Sequence, residues 1–219
     1  MQLVHAVYEP LGDGPHPTLI ALHGWGANAL DLLGLAPHLG PFLVLCPQGP
    51  VEVAIGPGMR GYGWFPLSAG TPPDVGAFEA GYAKLEAFLD DAMQRYPVSP
   101  DKVAALGFSQ GGVMAYALAV RQRRRFAALA ALSTWLLPEL AEGSQRSTGL
   151  DGLPVLVQHG ATDPLIPVAR GRDAIEQLRA WKADPVYREY DMGHEINAAS
   201  LRDLAEFLHR QLVSPLVRV

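Results

Sequence analysis

Short apolar runs alternate along the chain with longer segments in which apolar residues recur at helical spacing. Runs of strand length cover residues 3–8, 18–22, 42–46, 102–108, 126–132, 154–158 and 186–190. Between them, the segment 74–95 repeats Phe78, Tyr82, Leu85 and Leu89 at helical spacing, and Asp74 can cap its start. Helical patterns also cover 113–120, 170–180 and 201–208. This alternation predicts an α/β fold with a mainly parallel, twisted sheet and helices on both faces.

Length and composition favour one core. With 219 residues and 49% hydrophobic positions, we expect a single domain over 1–219, without a large inserted lid domain. The formal charge of −5 and the 18% of charged residues predict no nucleic-acid or anionic-membrane partner, so small-molecule chemistry is the default. The basic run 121–125 ends a predicted helix, and we expect it to be a solvated helix cap.

Cys46 is the only cysteine, so the sequence predicts no internal disulfide and no cysteine-based metal site. We expect Cys46 to be a packed hydrophobe. The segment 1–8 lacks a basic start and a long apolar run, and no apolar run approaches the ~18 residues of a membrane span. We therefore expect a cytoplasmic protein without a membrane span, and we leave a homodimer open.

Two irregular segments stand out. Residues 49–73 are dense in glycine and proline with embedded aromatics, which is typical of a long ordered loop. Residues 142–149 are polar and predict a surface excursion.

A strong chemical signal is Gly107-Phe108-Ser109-Gln110-Gly111, a G-x-S-x-G directly after a predicted strand and before a predicted helix. In this context the serine lies on a sharp, strained turn, and the flanking glycines let strand and helix approach closely. A glycine-rich helix start with an N-cap serine is the alternative, but it would not require glycine on both sides. We interpret Ser109 as a candidate nucleophile.

A serine hydroxyl needs a nearby base, itself oriented by a third group. If the acid and then the histidine follow the serine along the chain, only the histidines after Ser109 can be the base. These are His159, His194 and His209. His194 follows the last predicted strand, at the edge where open α/β sheets form their sites. His209 lies within the C-terminal helix, and His159 ends a strand, where we expect a structural or supporting role.

The candidate acid is Asp163, which lies in a turn just beyond a strand end, level with Ser109 and His194. Other aspartates considered are Asp151, Asp173, Asp184 and Asp191. A tetrahedral oxyanion also needs donors, and we predict the backbone N–H groups of Gln110 and Trp25. His23 precedes the serine, and we expect it to shape the Trp25 loop.

These segments resemble the phospholipase/carboxylesterase group of α/β-hydrolases, which includes acyl-protein thioesterases. The resemblance covers most of the chain, in the segments Leu22-His23-Gly24-Trp25-Gly26, Trp64-Phe65, Gly107 to Gly112, His159 to Pro164 and Met192-Gly193-His194-Glu195. It implies the α/β-hydrolase fold and hydrolysis of carboxylic esters, lysophospholipids or acyl thioesters without a cofactor or metal. Pro66 and Trp25 depart from this group, which more often has an acidic residue and a leucine at these positions.

Large apolar residues in predicted loops and strand ends suggest an acyl pocket, although several can be ordinary core residues. The substrate-binding candidates are Trp25, Trp64, Phe65, Trp135, Leu136 and Ile166, with Met59, Leu67 and Leu137 as further members of the set. The sequence favours a serine carboxylesterase acting on small esters of short to medium chain length. The alternatives are an acyl-protein or acyl-carrier thioesterase or lysophospholipase and, more distantly, a ligand-binding protein without turnover.

Overall fold

The computed structural model of the protein describes residues 3–68, 71–142 and 149–214. Nine strands are described: β1 (His5–Tyr8), β2 (His16–Leu22), β3 (Leu43–Pro47), β4 (Val51–Gly56), β5 (Met59–Gly63), β6 (Val98–Phe108), β7 (Ala128–Leu132), β8 (Pro154–Gly160) and β9 (Asp184–Tyr190). Seven of them form one sheet in the order β1-β3-β2-β6-β7-β8-β9, in which β1 alone runs antiparallel to its neighbour. The predicted mainly parallel sheet is confirmed.

Helices cover both faces of this sheet, as predicted. They are α1 (Ala36–Leu39), α2 (Val75–Arg95), α3 (Gln110–Arg121), α4 (Pro138–Glu142), α5 (Ala169–Ala180) and α6 (Ala198–Leu212). The buried side chains of α2, α3 and α5 form one core layer, and those of α1 and α6 form the layer on the opposite face. Strand β6 contributes side chains to both layers. Val103 and Ala105 face the first layer, whereas Ala104 and Leu106 face the second.

Helix α2 matches its sequence prediction. The Asp74 carboxylate accepts a hydrogen bond of 2.7 Å from Ala77 N–H, which caps the first turn. The four apolar residues at helical spacing, Phe78, Tyr82, Leu85 and Leu89, are all buried.

The segment 49–73 is more regular than predicted, because it contains the hairpin of β4 and β5, paired in register from Val51 with Gly63. Much of the hairpin is exposed, so its strands lack the regular alternation of buried apolar and exposed polar residues that would predict them from the sequence. Its support comes from the loop after β2: Gly26 N–H donates to Tyr62 O at 2.8 Å, and Tyr62 N–H donates to Ala27 O at 2.7 Å. A long-range contact of this kind leaves little local sequence signal.

The basic run 121–125, which begins at the last residue of α3, is also less solvated than predicted. The Arg121 guanidinium pairs bidentately with Glu79 at 2.7 and 2.8 Å and lies over the Tyr82 ring at 4.3 Å. Its side chain is only 12% exposed. Arg123 donates to the carbonyl oxygens of Phe126 and Leu150. Arg121 therefore ties the end of α3 to α2, and Arg123 ties the segment after α3 to the loop before β8.

Cys46 is buried, as expected, and burial raises the pKa of its thiol to about 12. Within the described residues, no helix is both long enough and apolar enough to cross a membrane. Of the polar segment 142–149, residues 143–148 lie outside the described residues, so the surface excursion stays a prediction.

The parallel register brings five loops to one edge of the sheet. Strands β2 and β6 pair Leu22 with Gly107, and β8 and β9 pair Gly160 with Tyr190. The loops that follow β2, β6, β7, β8 and β9 therefore leave the sheet side by side. These loops contain Trp25, Ser109, Asp163 and His194, which the sequence singles out.

Candidate active site

Ser109 occupies a strained turn between β6 and α3. Its backbone has φ 51° and ψ −122°, a conformation rare for a residue with a side chain. The turn is held from the neighbouring strand, because Ser109 N–H donates to Leu132 O at 3.0 Å. The Thr134 hydroxyl donates to Ser109 O at 2.6 Å. The predicted strand, turn and helix around Ser109 are thus present.

The glycines two residues before and two residues after Ser109 are required by close backbone approach. A Cβ on Gly107 would overlap the carbonyl oxygen of Gly111, and a Cβ on Gly111 would overlap the carbonyl oxygen of Leu22. The second contact sets α3 directly against the end of β2. The G-x-S-x-G pattern therefore reflects the close packing of β2, β6 and the start of α3 next to the serine.

His194 and Asp163 form a hydrogen-bonded pair at the ends of β9 and β8. His194 Nδ1 lies 2.7 Å from Asp163 Oδ2, and the Asp163 side chain is fully buried. The Phe108 ring packs on the His194 imidazole with 4.8 Å between ring centroids. A carboxylate only accepts, so Nδ1 carries the proton in this hydrogen bond. Nε2 of the neutral ring is then the atom that can accept a proton.

Asp163 is kept ionised by its own turn. Burial alone would raise the pKa of Asp163, but hydrogen bonds from Ile166 N–H, His194 and Leu165 N–H outweigh it and lower the pKa. Both backbone N–H groups donate to Oδ1, at 2.9 Å from Leu165 and 2.8 Å from Ile166. This leaves Oδ2 for His194.

On the opposite side of Ser109, the loop after β2 is shaped by the buried His23. Gly49 N–H donates to His23 Nε2 at 2.9 Å, so Nδ1 carries the proton and donates to Gly24 O at 2.7 Å. Burial lowers the pKa of His23, which keeps the ring neutral. The structural role expected for His23 agrees with these contacts.

The Gln110 side chain links α3 to the segment that follows the hairpin. Its Oε1 accepts from Trp64 N–H at 2.8 Å, and its Nε2 donates to Phe65 O at 2.6 Å. The Trp64 indole N–H in turn donates to His23 O at 2.9 Å. A buried network therefore joins the hairpin, the His23 loop and the residue after the serine.

The two predicted oxyanion donors are Trp25 N–H and Gln110 N–H. Across residues 3–68, 71–142 and 149–214, neither group donates a hydrogen bond to another protein group. Gly24 brings its loop close to the serine, since a Cβ built there would lie 3.3 Å from Ser109 Cβ. Both N–H groups are therefore available beside the serine.

Ser109 and His194 share a cleft of about 540 Å³. Its apolar lining includes Trp25, Leu67, Phe108, Trp135, Leu165 and Ile166, and Asp31 adds a carboxylate. Of the pocket candidates, Trp25, Trp135, Ile166 and Leu67 thus lie in the lining. The structure adds Phe108 and Leu165. Asp31 gave no sequence signal, because a lone aspartate in a loop has no distinguishing pattern.

Other pocket candidates lie elsewhere. Trp64 and Phe65 are both 0% exposed and belong to the core, so their prediction as substrate-contacting residues is corrected. Both residues serve the network around Gln110 instead. Leu136 and Leu137 pack against the core, and Met59 projects from the hairpin with 61% exposure; none of the three lines the cleft. Apolar character alone could not separate a pocket wall from the core beneath it.

A second cleft, of about 650 Å³, lies near the arginine run and includes Lys102, Arg123 and Arg124 in its lining. No histidine lines it, so it offers no base for a serine nucleophile. Among the described residues, no three or more His, Cys, Asp or Glu side chains cluster so that they could hold a metal ion.

The parallel sheet and the serine, histidine and aspartate at its carboxyl edge define an α/β-hydrolase. More particularly, the chain belongs to the phospholipase/carboxylesterase family, whose model matches residues 4–212. It is similar to acyl-protein thioesterase 1 of Gibberella zeae, with 26% identity over 87% of this chain and 85% of the relative. Family membership makes the chain a hydrolase of the esterase and thioesterase kind.

Solved structures show the same fold. Esterase PE8 superposes with a TM-score of 0.83 and 26% identity over 97% of this chain and 100% of its own. The Bacillus cereus carboxylesterase superposes with a TM-score of 0.81 and 22% identity, over 96% and 95% of the two chains. The expected fold and family are confirmed.

Proposed function

We propose that this protein is a serine carboxylesterase with Ser109 as nucleophile, His194 as base and Asp163 as the acid that orients the base. The observation that carries the proposal is the 2.7 Å hydrogen bond from His194 Nδ1 to Asp163, in a ring that shares its cleft with Ser109. This bond fixes the tautomer that leaves Nε2 free to take a proton.

The reaction proceeds in two acyl-transfer steps. His194 Nε2 takes the hydroxyl proton as Ser109 Oγ bonds to the ester carbonyl carbon, and the imidazolium then protonates the departing alcohol oxygen. In the second step His194 takes a proton from water, which attacks the acyl-serine, and returns that proton to Ser109 Oγ as the acid leaves. Asp163 stays ionised throughout, in line with its lowered pKa.

The tetrahedral oxyanion of both steps is stabilised by Trp25 N–H and Gln110 N–H. Both donors are unused by other protein groups among the described residues, and the network around His23 and Gln110 holds them rigidly. Preorganised donors of this kind typically contribute ~10²–10³ in rate each.

The cleft favours neutral acyl chains of short to medium length. Its volume of about 540 Å³ and its walls of Trp25 and Trp135 suit an apolar acyl group. The Asp31 carboxylate in the same lining disfavours a substrate that carries negative charge near the ester.

A thioesterase is the second candidate, because a relative that matches 87% of this chain carries the name acyl-protein thioesterase 1. Both activities use the same acyl-enzyme, and the leaving atom is the only difference. Acyl esters and thioesters with matched acyl and leaving groups, assayed side by side, separate them. A kcat/KM at least tenfold higher for the oxygen ester supports the esterase, and the reverse ranking makes the protein a thioesterase.

The test of the nucleophile is hydrolysis of p-nitrophenyl esters of graded acyl length by the wild type and by Ser109→Ala. Removing the nucleophile should lower kcat by about 10⁶. Ser68→Ala, at an exposed serine outside the cleft, is the matched control and should retain wild-type rates. If the wild type hydrolysed neither the esters nor matched thioesters, the ligand-binding alternative would replace the proposal.

A further inference from the structure

The two-step mechanism does not use His159, although this histidine is the penultimate residue of β8, lies only four residues before Asp163 and is 0% exposed. We propose that His159 is a positioning residue that holds the loop of the catalytic acid in its working geometry. This inference rests on the proposed function for its kinetic consequence, but its structural part can be tested separately.

The first contact is with the backbone of Ile166. His159 Nε2 lies 2.9 Å from Ile166 O, and because a carbonyl only accepts, Nε2 carries the proton and donates it. The N–H of the same residue donates to Asp163 Oδ1 at 2.8 Å. The imidazole therefore fixes Ile166 from one side while Ile166 fixes the carboxylate from the other.

The second contact is electrostatic. His159 Nε2 lies 3.6 Å from Asp163 Oδ2, the oxygen that accepts from His194. This distance is too long for a direct hydrogen bond, yet it places the positive end of the N–H dipole beside the carboxylate. Asp163 is thus flanked by two imidazoles, one that it orients and one that holds its loop.

The other side of the His159 ring makes no comparable contact. His159 Nδ1 is buried and has no hydrogen-bond partner among the described residues, and Gly171 of α5 packs next to it. Burying an unpaired nitrogen destabilises a fold. An apolar side chain would avoid that cost, so the donor at Nε2 is the feature that accounts for a histidine here.

The same loop also forms part of the cleft. Leu165 and Ile166 both line it, and both donate their N–H groups to Asp163. Releasing Ile166 from His159 should therefore loosen the acid and one wall of the cleft together. A misplacement of about 1 Å in such a unit can cost on the order of 10² in rate.

The experiment compares His159→Gln with His159→Asn. The Gln amide N–H₂ is as many bonds from Cα as His Nε2 and can donate to Ile166 O, whereas the Asn amide is one bond too short. We expect His159→Asn to lower kcat for a p-nitrophenyl acetate substrate by about ten- to hundredfold with little change in KM. His159→Gln should stay within about threefold of the wild type.

A second readout does not depend on turnover. The His194 Nδ1–H proton in its 2.7 Å bond to Asp163 should give a far-downfield proton resonance in the wild type and in His159→Gln. We expect it to shift upfield or broaden in His159→Asn and in His159→Leu, which provides a second variant if the Asn protein folds poorly. Gly171→Ala, whose new Cβ would lie 3.0 Å from His159 Nδ1, should shift the resonance in the same direction without changing the ring.

Equal kcat values and unchanged resonances in the Asn and Leu variants would overturn the proposal. Loss of the resonance in all His159 variants, including Gln, would also overturn it, because a general packing role would then suffice. If the resonances behave as expected but the wild type hydrolyses no ester or thioester, the proposed function fails while the positioning role stands.

Discussion

The candidate site has two sides that are held in different ways. The acid side is the turn of Asp163, the proposed acid, and the oxyanion side is the loop of Trp25, the proposed oxyanion donor. On the acid side, Asp163 is fixed by N–H groups two and three residues further along its own turn. On the oxyanion side, the Trp25 loop is fixed by residues distant in sequence: Tyr62 binds Gly26 and Ala27, and Trp64 binds His23 O across 41 residues. The acid side is therefore held by contacts within one turn, and the oxyanion side is held by tertiary contacts.

The electrostatics of the two sides differ as well. The acid side works with a buried carboxylate, whose hydrogen bonds lower its pKa. The oxyanion side works with a neutral histidine, since burial lowers the pKa of His23. The acid side therefore depends on a charged group, the Asp163 carboxylate, whereas the oxyanion side depends on an uncharged one, the His23 imidazole. For this reason we expect the two sides to respond to different substitutions and to different pH ranges.

Among substitutions that affect only one of the two sides, the largest expected effect comes from a change on the acid side. Asp163→Asn should lower kcat by about 10⁴, because the amide can donate to His194 and so favours the wrong tautomer of the ring. The backbone N–H groups of Leu165 and Ile166 can still donate to the amide oxygen, so the fold should persist. Steady-state hydrolysis of a p-nitrophenyl ester and the thermal midpoint provide the measurements.

The matched control for this prediction is Asp173→Asn on α5, at an exposed aspartate outside the cleft, which should behave as the wild type. A kcat for Asp163→Asn within tenfold of the wild type would mean that another group orients His194, and the difference between the two sides would lose its basis.

A smaller effect is expected from loosening the oxyanion side. A Cβ on Gly61 would overlap the carbonyl oxygen of Gly26, so Gly61→Ala should displace the Trp25 loop from the hairpin. We expect a loss of about 10²–10³ in kcat, equivalent to one oxyanion donor. The measurement is kcat together with the rate at which a phosphonate reagent labels Ser109.

Gly56→Ala in the same hairpin is the matched control, because its Cβ would meet only the Met59 side chain at ordinary contact distances. It should retain activity. If Gly61→Ala kept full activity while it folded normally, the hairpin would not be what holds the donor loop.

The local structure around Asp163 was easier to predict from the sequence than the support of the Trp25 loop, for the same physical reason. Asp163 and Ser109 lie in short motifs whose turn chemistry is local, so strand, turn and helix could be placed from neighbouring residues. Each of the seven sheet strands overlaps a predicted run of strand length. The inner strands β2, β3, β6, β7 and β8 did so because strands buried on both faces read as continuous apolar segments.

The hairpin and the role of Trp64 could not be predicted in that way. The hairpin is stabilised by contact with the Trp25 loop, and Trp64 and Phe65 are distinguished from cleft residues only by which side of the loop faces solvent. The Gln110 bridge to Trp64 and Phe65 spans 45 or 46 residues, and no local pattern encodes that distance. Glycine at 61 and 63 was the available signal, since glycine in a strand often marks a close approach of another chain segment.

The smallest expected effect is a loss of folding stability at mildly acidic pH. It should arise on the oxyanion side, at His23, and not on the acid side. The pKa of His23 is lowered from its ordinary 6.5, so the unfolded chain binds a proton there before the folded chain does. The stabilisation by neutral His23 is fully present above about pH 6.5 and is lost as the pH falls through the folded-state pKa. Protonation would place Nε2–H against Gly49 N–H, which donates to the same atom. The pKa of Asp163 is lowered below its ordinary 3.8, so the acid side stays intact in this range.

The measurement is the free energy of unfolding by urea at about pH 7.5 and about pH 5, at fixed ionic strength, for the wild type and for His23→Gln. The wild type should lose more stability between the two pH values than His23→Gln, in which no group titrates at this position. His38→Gln, at an exposed histidine of α1, should keep the wild-type difference. Identical pH differences in all three proteins would show that His23 does not make the oxyanion side sensitive to acid, and the electrostatic contrast between the two sides would then rest on Asp163 alone.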